Sequence, residues 1–157
     1  MLNWMPDILE AILAGLVVAV FTSILTVRLA IRRFYKEKWW EKKQETYSHL
    51  LETLHHLKNY AAEHYEGEIN PDHITEEKGQ ELKRDWNKFS REFAKLRDLA
   101  SFHLSDEAVA ILDEYQKKKA EARKSKIIFE WIEGDLTAAS QCLEALKEAA
   151  KLDLKVK

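Results

Sequence analysis

The sequence is poor in the residues that build tight turns and covalent cross-links. It has two prolines, four glycines and one cysteine among its 157 residues. So little glycine and proline is unfavourable for a sheet architecture rich in turns. The single cysteine, Cys142, excludes an intrachain disulfide and a zinc site made of cysteines. The formal net charge of -2 provides no bulk attraction to nucleic acids or to a membrane.

An uncharged run from Ala11 to Val27 lies near the N-terminus. At about 1.5 Å per residue it spans roughly 26 Å as a helix, close to the thickness of a bilayer core. A cleaved signal peptide would begin with basic residues, whereas this N-terminus carries Asp7 and Glu10. We therefore predict a transmembrane anchor in residues 1–33 and a helical domain in residues 34–157.

Basic residues follow the apolar run and none precedes it. They are Arg28, Arg32, Arg33, Lys36, Lys38, Lys42 and Lys43. The positive-inside rule then predicts a single-pass protein with its N-terminus outside and its C-terminal domain in the cytoplasm. The lipid bilayer is thus the first predicted partner.

Small and hydroxyl-bearing residues recur along one face of the predicted membrane helix. They are Ala11, Gly15, Ala19, Thr22 and Thr26. Small residues allow the backbones of two membrane helices to approach closely, and hydroxyls can form hydrogen bonds across the contact. The pattern predicts association with another copy of the chain, giving a homo-oligomer, or with a different membrane protein. In a ring of copies this face could instead line a water-filled pore. The alternative is that small residues are simply common in membrane helices.

Four helices are predicted from the hydrophobic period. The first continues from the membrane segment to about Glu66, a length of about 60 residues, and the chain breaks at Gly67 to Asp72. The others cover about His73–His103, Asp106–Arg123 and Lys126–Leu152. Because short connections favour antiparallel neighbours, we predict an all-α fold in which the membrane helix continues into an up-down four-helix bundle.

Apolar residues at spacings of three and four predict which face of each helix enters the core. The predicted core residues are Trp40, Tyr47, Leu50, Leu54, Leu57, Ala61 and Tyr65 in the first helix, Leu82, Trp86, Phe89, Phe93, Leu96 and Ala100 in the second, Val109, Leu112 and Tyr115 in the third, and Phe129, Ile132, Leu136, Ala139, Leu143, Leu146 and Ala150 in the fourth.

Arg97 and His103 stand near the end of the second predicted helix, separated by five residues. The pair resembles the motif of HEPN ribonucleases, helical domains that cleave RNA. That resemblance implies acid-base catalysis by His103 and phosphate binding by Arg97. The alternative is structural, because a histidine at a helix C-terminus is stabilised by the helix dipole.

A dense group of basic residues ends the third predicted helix, and we call it the basic segment. Its members are Lys117, Lys118, Lys119, Arg123, Lys124 and Lys126. They could bind RNA, a nucleotide or another anionic partner on the cytoplasmic side. No aromatic residue interleaves with them, so stacking on bases is not indicated. The alternative is a solvated helix end whose cations suit the dipole.

The sequence predicts no metal and no cofactor. His49, Glu52 and His56 follow a helical spacing, but a di-iron bundle needs two Glu-x-x-His pairs, and only Glu52 with His55 forms one. No glycine-rich phosphate loop or nucleophile signature occurs.

The overall layout resembles small bacterial membrane proteins with one N-terminal span, a Trp-Trp-Glu-Lys-Lys stretch (here Trp39 to Lys43) and a helical cytoplasmic domain. It is also similar to the accessory membrane protein of type VI-B CRISPR systems. That family has a divergent HEPN-like domain with one Arg-x(4–6)-His motif and forms a ring-shaped membrane pore, and Arg97 and His103 carry the motif here. The resemblance implies a location in the bacterial inner membrane and a role in antiviral defence.

Three hypotheses follow from the sequence. The first is a non-enzymatic, self-associating membrane protein that forms a pore or perturbs the membrane as a defence effector. The second is a membrane-tethered, HEPN-like ribonuclease that depends on Arg97 and His103. The third is a membrane-anchored adaptor whose helical domain binds another protein.

Overall fold

The computed structural model describes residues 5–70 and 74–155, with side chains described for residues 15–70 and 74–155. Its elements are α1 (Met5–Ile69), α2 (Glu76–His103), α3 (Asp106–Ala122) and α4 (Ile128–Leu154). No strand occurs in these residues. The predicted all-α class and the number of helices are therefore confirmed. Pro71 and Asp72, from the predicted break after α1, lie outside the described residues.

The chain divides into two compact units, Met1–Trp40 and Glu41–Lys157. In the first unit every described side chain, from residue 15 onward, is exposed. This part of α1 is the one described stretch that is long and apolar enough to cross a membrane by length and composition, and none of its apolar window is buried.

The second unit contains a shared hydrophobic core. Its central side chains are completely or almost completely buried, and they come from four helical segments: Tyr47, Leu50 and Leu54 from α1, Phe93 from α2, Leu112 from α3 and Leu146 from α4. Burying each large apolar side chain contributes about 1.5–3 kcal/mol relative to leaving it exposed. This core fixes the faces of the four segments on which the candidate site is built.

Polar side chains determine where the helices begin. The hydroxyl of Thr75 accepts a hydrogen bond from the backbone N–H of Lys78, so α2 begins at Glu76 and not near His73 as predicted. Ser105 caps α3 in the same way, by accepting from the backbone N–H of Ala108. The hydroxyl of Ser125 accepts from the N–H of Ile127 and delays the start of α4 from the predicted Lys126 to Ile128.

The predicted core is largely correct, with instructive differences in α3 and α4. Ala108, rather than Val109, is fully buried in α3. In α4 the buried arc is wider than one stripe of large residues, because Ala138, Cys142 and Ala149 join it. Trp40, predicted as the first core residue of α1, is exposed.

Candidate functional site

The predicted catalytic pair occupies two different environments. The guanidinium of Arg97 forms an ion pair with Asp113 on α3, with Nη2 2.8 Å from Oδ1, and both side chains are substantially exposed. The Nδ1 atom of His103 lies 3.2 Å from the hydroxyl of Thr46, a buried residue of α1. Each residue thus has a structural partner, and a catalytic role for the pair stays a prediction.

The predicted association face lies on an exposed part of α1. The hydroxyl of Thr22 donates to the carbonyl oxygen of Val18, and that of Thr26 donates to the carbonyl oxygen of Thr22, each at 2.8 Å. A Cβ atom added to Gly15 would meet nothing within 4 Å. Ala11 falls outside the residues whose side chains are described. The threonine protons are therefore already used within the helix, and close approach at the small residues is the main property this face offers a second helix.

The residues of the basic segment differ in their contacts: some pair with polar neighbours or face solvent, whereas the half-buried Lys119 and the exposed Arg123 lie near aromatic rings. Lys118 donates to Gln141 at 2.9 Å, and Lys124 pairs with Glu121 at 2.7 Å. Lys117 and Lys126 are also exposed. Lys119 and Arg123, one helical turn apart, lie instead over aromatic rings.

Two tryptophans from other helices contact these cations. The ammonium of Lys119 lies 4.1 Å from the ring centroid of Trp86 on α2. The guanidinium carbon of Arg123 is 5.7 Å from the ring centroids of both Trp86 and Trp131, the latter on α4. Tyr60 on α1 extends the aromatic surface, with its ring 4.5 Å from that of Trp86. Such cation–π contacts strengthen as the cation loses water.

A carboxylate completes the cluster. Asp135 follows Trp131 by one helical turn, its side chain is 12% exposed, and its Oδ2 lies 3.9 Å from Nη2 of Arg123. That separation is too long for a hydrogen bond. The indole N–H of Trp131 donates to the carboxylate of Asp135. The Oδ1 atom of Asp135 is buried and has no hydrogen-bond partner. A buried acceptor without a donor is energetically costly and uncommon.

Next to this cluster lies an open cavity of about 560 Å³ in the second unit, which we call the tryptophan pocket. Its polar and aromatic border consists of Tyr60, His64, Glu68, Trp86, Arg123, Trp131 and Asp135, with further apolar lining from Ala61, Ile128 and Ile132. Lys119 contacts Trp86 but does not line the cavity. The volume lies within the range of about 300–1,000 Å³ that is typical of small-molecule sites. Aromatic walls and a few charged groups are also typical of such sites.

The ionisable groups in and beside the tryptophan pocket are perturbed mainly by burial. Burial lowers the pKa of Lys119 to about 8, an effect that Arg123 increases and Asp135 opposes. Burial raises the pKa of Asp135, although Lys119, Arg123 and the Trp131 hydrogen bond act in the other direction. Burial also lowers the pKa of His64. Removing charged groups from water disfavours their charged forms, so the ammonium of Lys119 and the carboxylate of Asp135 are held here at a cost.

Sequence reasoning missed this pocket because its walls are distant along the chain. No aromatic residue lies within the basic segment in the sequence, but in the folded domain Trp86 from α2 and Trp131 from α4 contact its residues Lys119 and Arg123. A usable signal was present: Lys119 and Arg123 precede the α3–α4 loop at a spacing of four, and Trp131 and Asp135 follow it at the same spacing. A helical hairpin brings two such pairs together.

No group of three or more His, Cys, Asp or Glu side chains that could hold a metal ion occurs among the described residues. Comparisons with protein-family models, with curated proteins and with solved structures find no match.

Proposed function

We propose that this chain is a self-associating, single-pass membrane protein. The observation that carries the proposal is the exposed apolar surface of α1, where large side chains between residues 16 and 31 are about half exposed or more. They are Leu16, Val17, Val18, Val20, Phe21, Ile24, Leu25, Val27, Leu29 and Ile31. An apolar patch of this size is unfavourable in water and suits the hydrocarbon of a bilayer.

The polar groups in this stretch are compatible with lipid. The hydroxyls of Thr22 and Thr26 donate to backbone carbonyls of their own helix, and a membrane requires that such groups be satisfied internally. The charges begin at Arg28, followed by Arg32 and Arg33. Their position supports an orientation with the N-terminus outside and the helical domain in the cytoplasm.

Self-association is the second part of the proposal. Gly15, Ala19 and the two threonines form a face without large side chains, on which another copy of α1 could approach closely. A ring of such helices would give a membrane pore or a membrane-perturbing assembly, and the similarity in layout to the type VI-B accessory protein supports a role in antiviral defence. An antiparallel up-down order of the helices, supported by the short connections before α3 and α4, belongs to the same proposal.

To test insertion, the full chain is expressed in cells, the membranes are isolated, and they are then washed at alkaline pH. We expect the protein to stay with the lipid pellet. The variant Val18→Lys with Ile24→Lys should be released, because each central lysine costs about 2.5–3.5 kcal/mol. The control, Tyr35→Lys with Ser48→Lys, adds the same charge at exposed positions beyond the apolar run. Release of the unmodified protein, or of the control as readily as the central variant, would contradict the proposal.

A further inference from the structure

The tryptophan pocket is unused by the proposed membrane function, and three of its properties restrict what it can bind. All its lining residues belong to the second unit, Glu41–Lys157. Ligand binding in this pocket can therefore be tested separately from the membrane insertion and self-association of α1.

The first property is the presence of flat apolar walls. Trp86, Trp131 and Tyr60 contribute aromatic rings from three helices. Planar ligands such as nucleobases stack on such rings. The aromatic walls therefore favour a planar, ring-shaped group.

The second property is a guanidinium in the cavity wall that Asp135 does not bind directly. Arg123 lines the pocket together with two carboxylates, Asp135 and Glu68, and its Nη2 lies 3.9 Å from Oδ2 of Asp135, too far for a hydrogen bond. The faces of Trp86 and Trp131 already carry cations, so a cationic ligand would meet repulsion there. An anionic group could form charge-assisted hydrogen bonds with Arg123, whose donors Asp135 leaves available.

The third property is an acceptor that lacks a donor. Oδ1 of Asp135 is buried and unpartnered, and an ionised carboxylate can only accept hydrogen bonds. A ligand with an N–H group on its planar ring, reaching this oxygen after a small side-chain adjustment, would remove the unsatisfied acceptor.

We propose that the tryptophan pocket binds a free purine nucleotide, with the base against Trp86 and Trp131, an N–H of the base donating to Asp135, and the phosphate beside Arg123. Purine nucleotides combine the three required features in one molecule: a planar ring, ring-bound N–H donors and an anionic phosphate. The cavity volume of about 560 Å³ accommodates a ligand of this size.

Binding is measured by titrating the full chain in detergent with AMP and GMP, following tryptophan fluorescence and the heat of binding. We expect at least one of them to bind and to change the fluorescence through stacking. Adenosine, guanosine and inorganic phosphate, each carrying part of the recognition, should bind at least about tenfold more weakly, since a charge-assisted contact is worth about 1.5–3 kcal/mol.

Two neighbouring arginine and lysine variants separate specific binding from general charge attraction. Arg123→Gln should weaken nucleotide binding by about tenfold or more. Lys124→Gln removes the same charge one residue further on, from a lysine paired with Glu121 outside the pocket lining, and should leave it unchanged. Asp135→Asn provides a second test within the pocket and should also weaken binding, with helical circular dichroism and thermal melting confirming that each variant is folded.

Three results would overturn the proposal. The first is absence of binding by both nucleotides at millimolar concentration. The second is an equal effect of Lys124→Gln and Arg123→Gln, which would indicate nonspecific attraction. The third is binding of a single-stranded RNA oligonucleotide through Arg123 with no binding of AMP or GMP, which would assign the site to RNA.

Discussion

The phenol of Tyr47 donates a hydrogen bond of 2.6 Å to Oδ2 of Asp153. The same carboxylate oxygen accepts from the backbone N–H of Ser105 at 3.2 Å and lies 3.5 Å from the ammonium of Lys43. Because Tyr47 is on α1, Ser105 is the N-cap of α3 and Asp153 is in the last turn of α4, one carboxylate connects three helical segments.

We expect this network to make the stability of the helical domain sensitive to acid. Burial opposes ionisation of Asp153, but the hydrogen bonds from Tyr47 and Ser105 and the charge of Lys43 outweigh it, and the pKa of Asp153 is lowered. A lowered folded-state pKa gives a contribution that is present above the unfolded value of about 3.9 and is lost as the pH falls through the folded value. The melting temperatures of wild type and Asp153→Asn should differ at pH 7 and converge as the pH falls below the unfolded value of about 3.9.

Tyr47→Phe removes the shortest bond of the network while keeping the ring. We expect a loss of about 1.5–3 kcal/mol in the free energy of unfolding at pH 7, the usual net value of a hydrogen bond to a charged group, because the carboxylate of Asp153 is ionised at this pH. The matched control is Glu148→Gln, which disrupts an exposed ion pair with Lys151 within one helix and should cost much less. Equal losses for the two variants would contradict a special role for the Tyr47–Asp153 contact.

Two helical glycines should respond oppositely to alanine. A Cβ on Gly134 would lie 2.6 Å from the Cβ of Ala122, whereas a Cβ on Gly79 would meet only Ile74, at an ordinary 3.6 Å. We expect Gly79→Ala to raise stability by up to about 1 kcal/mol through helix propensity. Gly134→Ala has the same gain in helix propensity, but its Cβ forces α3 and α4 apart, which costs about 1–3 kcal/mol of stability. Denaturant unfolding of the two variants checks this; a larger gain for Gly134→Ala would contradict the close contact.

The lone cysteine should be unreactive while the domain is folded. Burial raises the pKa of Cys142 to about 12, with a small opposing effect of Lys118, and the thiolate is the reactive form. We expect a soluble disulfide reagent to modify Cys142 only after denaturant is added. Rapid modification of the native protein at pH 8 (about the pKa of a free thiol) would mean that the α3–α4 packing opens readily.

The ribonuclease hypothesis is separable from the membrane account. Because Arg97 and Asp113 form an exposed pair, their loss should cost no more than about 1 kcal/mol of stability. We expect the double variant Arg97→Ala with His103→Ala to keep the activity of wild type in a cell-growth assay. Loss of activity together with loss of RNA cleavage, in a protein that remains folded, would instead support the ribonuclease.

Much of the fold could be predicted from the sequence because apolar residues recur at the helical spacing of three and four in each helix. The stripe of large apolar residues in α1 and α2 predicted the buried residues Leu50, Leu54, Phe93 and Leu96. Short side chains were harder to assign, since Ala108 and Ala138 gain little from burial and are tolerated on any helix face. Their burial depends on how closely neighbouring helices approach, which is a tertiary property.

The tryptophan pocket could not be predicted by the same means. Trp86 was assigned correctly to the inward face of α2, where it is half-buried, but periodicity does not indicate that Lys119 would pack over its ring. Likewise, the sequence around Asp135 does not indicate that one carboxylate oxygen is buried without a hydrogen-bond donor. Both features arise only when four helical segments meet.

The central claim is that copies of α1 associate through the face around Gly15 and Ala19. Gly15→Leu tests it without harming the isolated helix, since nothing lies within 4 Å of a Cβ at this position. The matched control is Val17→Leu, which adds bulk on the opposite side of the helix, because two residues rotate the position by about 200°.

The most direct measurement is the mass of the full chain in detergent by native mass spectrometry. For wild type and Val17→Leu we predict one discrete assembly of several copies of the 18.4 kDa chain. For Gly15→Leu we predict dissociation towards the monomer. A monomeric wild-type protein, or an assembly that Gly15→Leu leaves intact, would contradict the account.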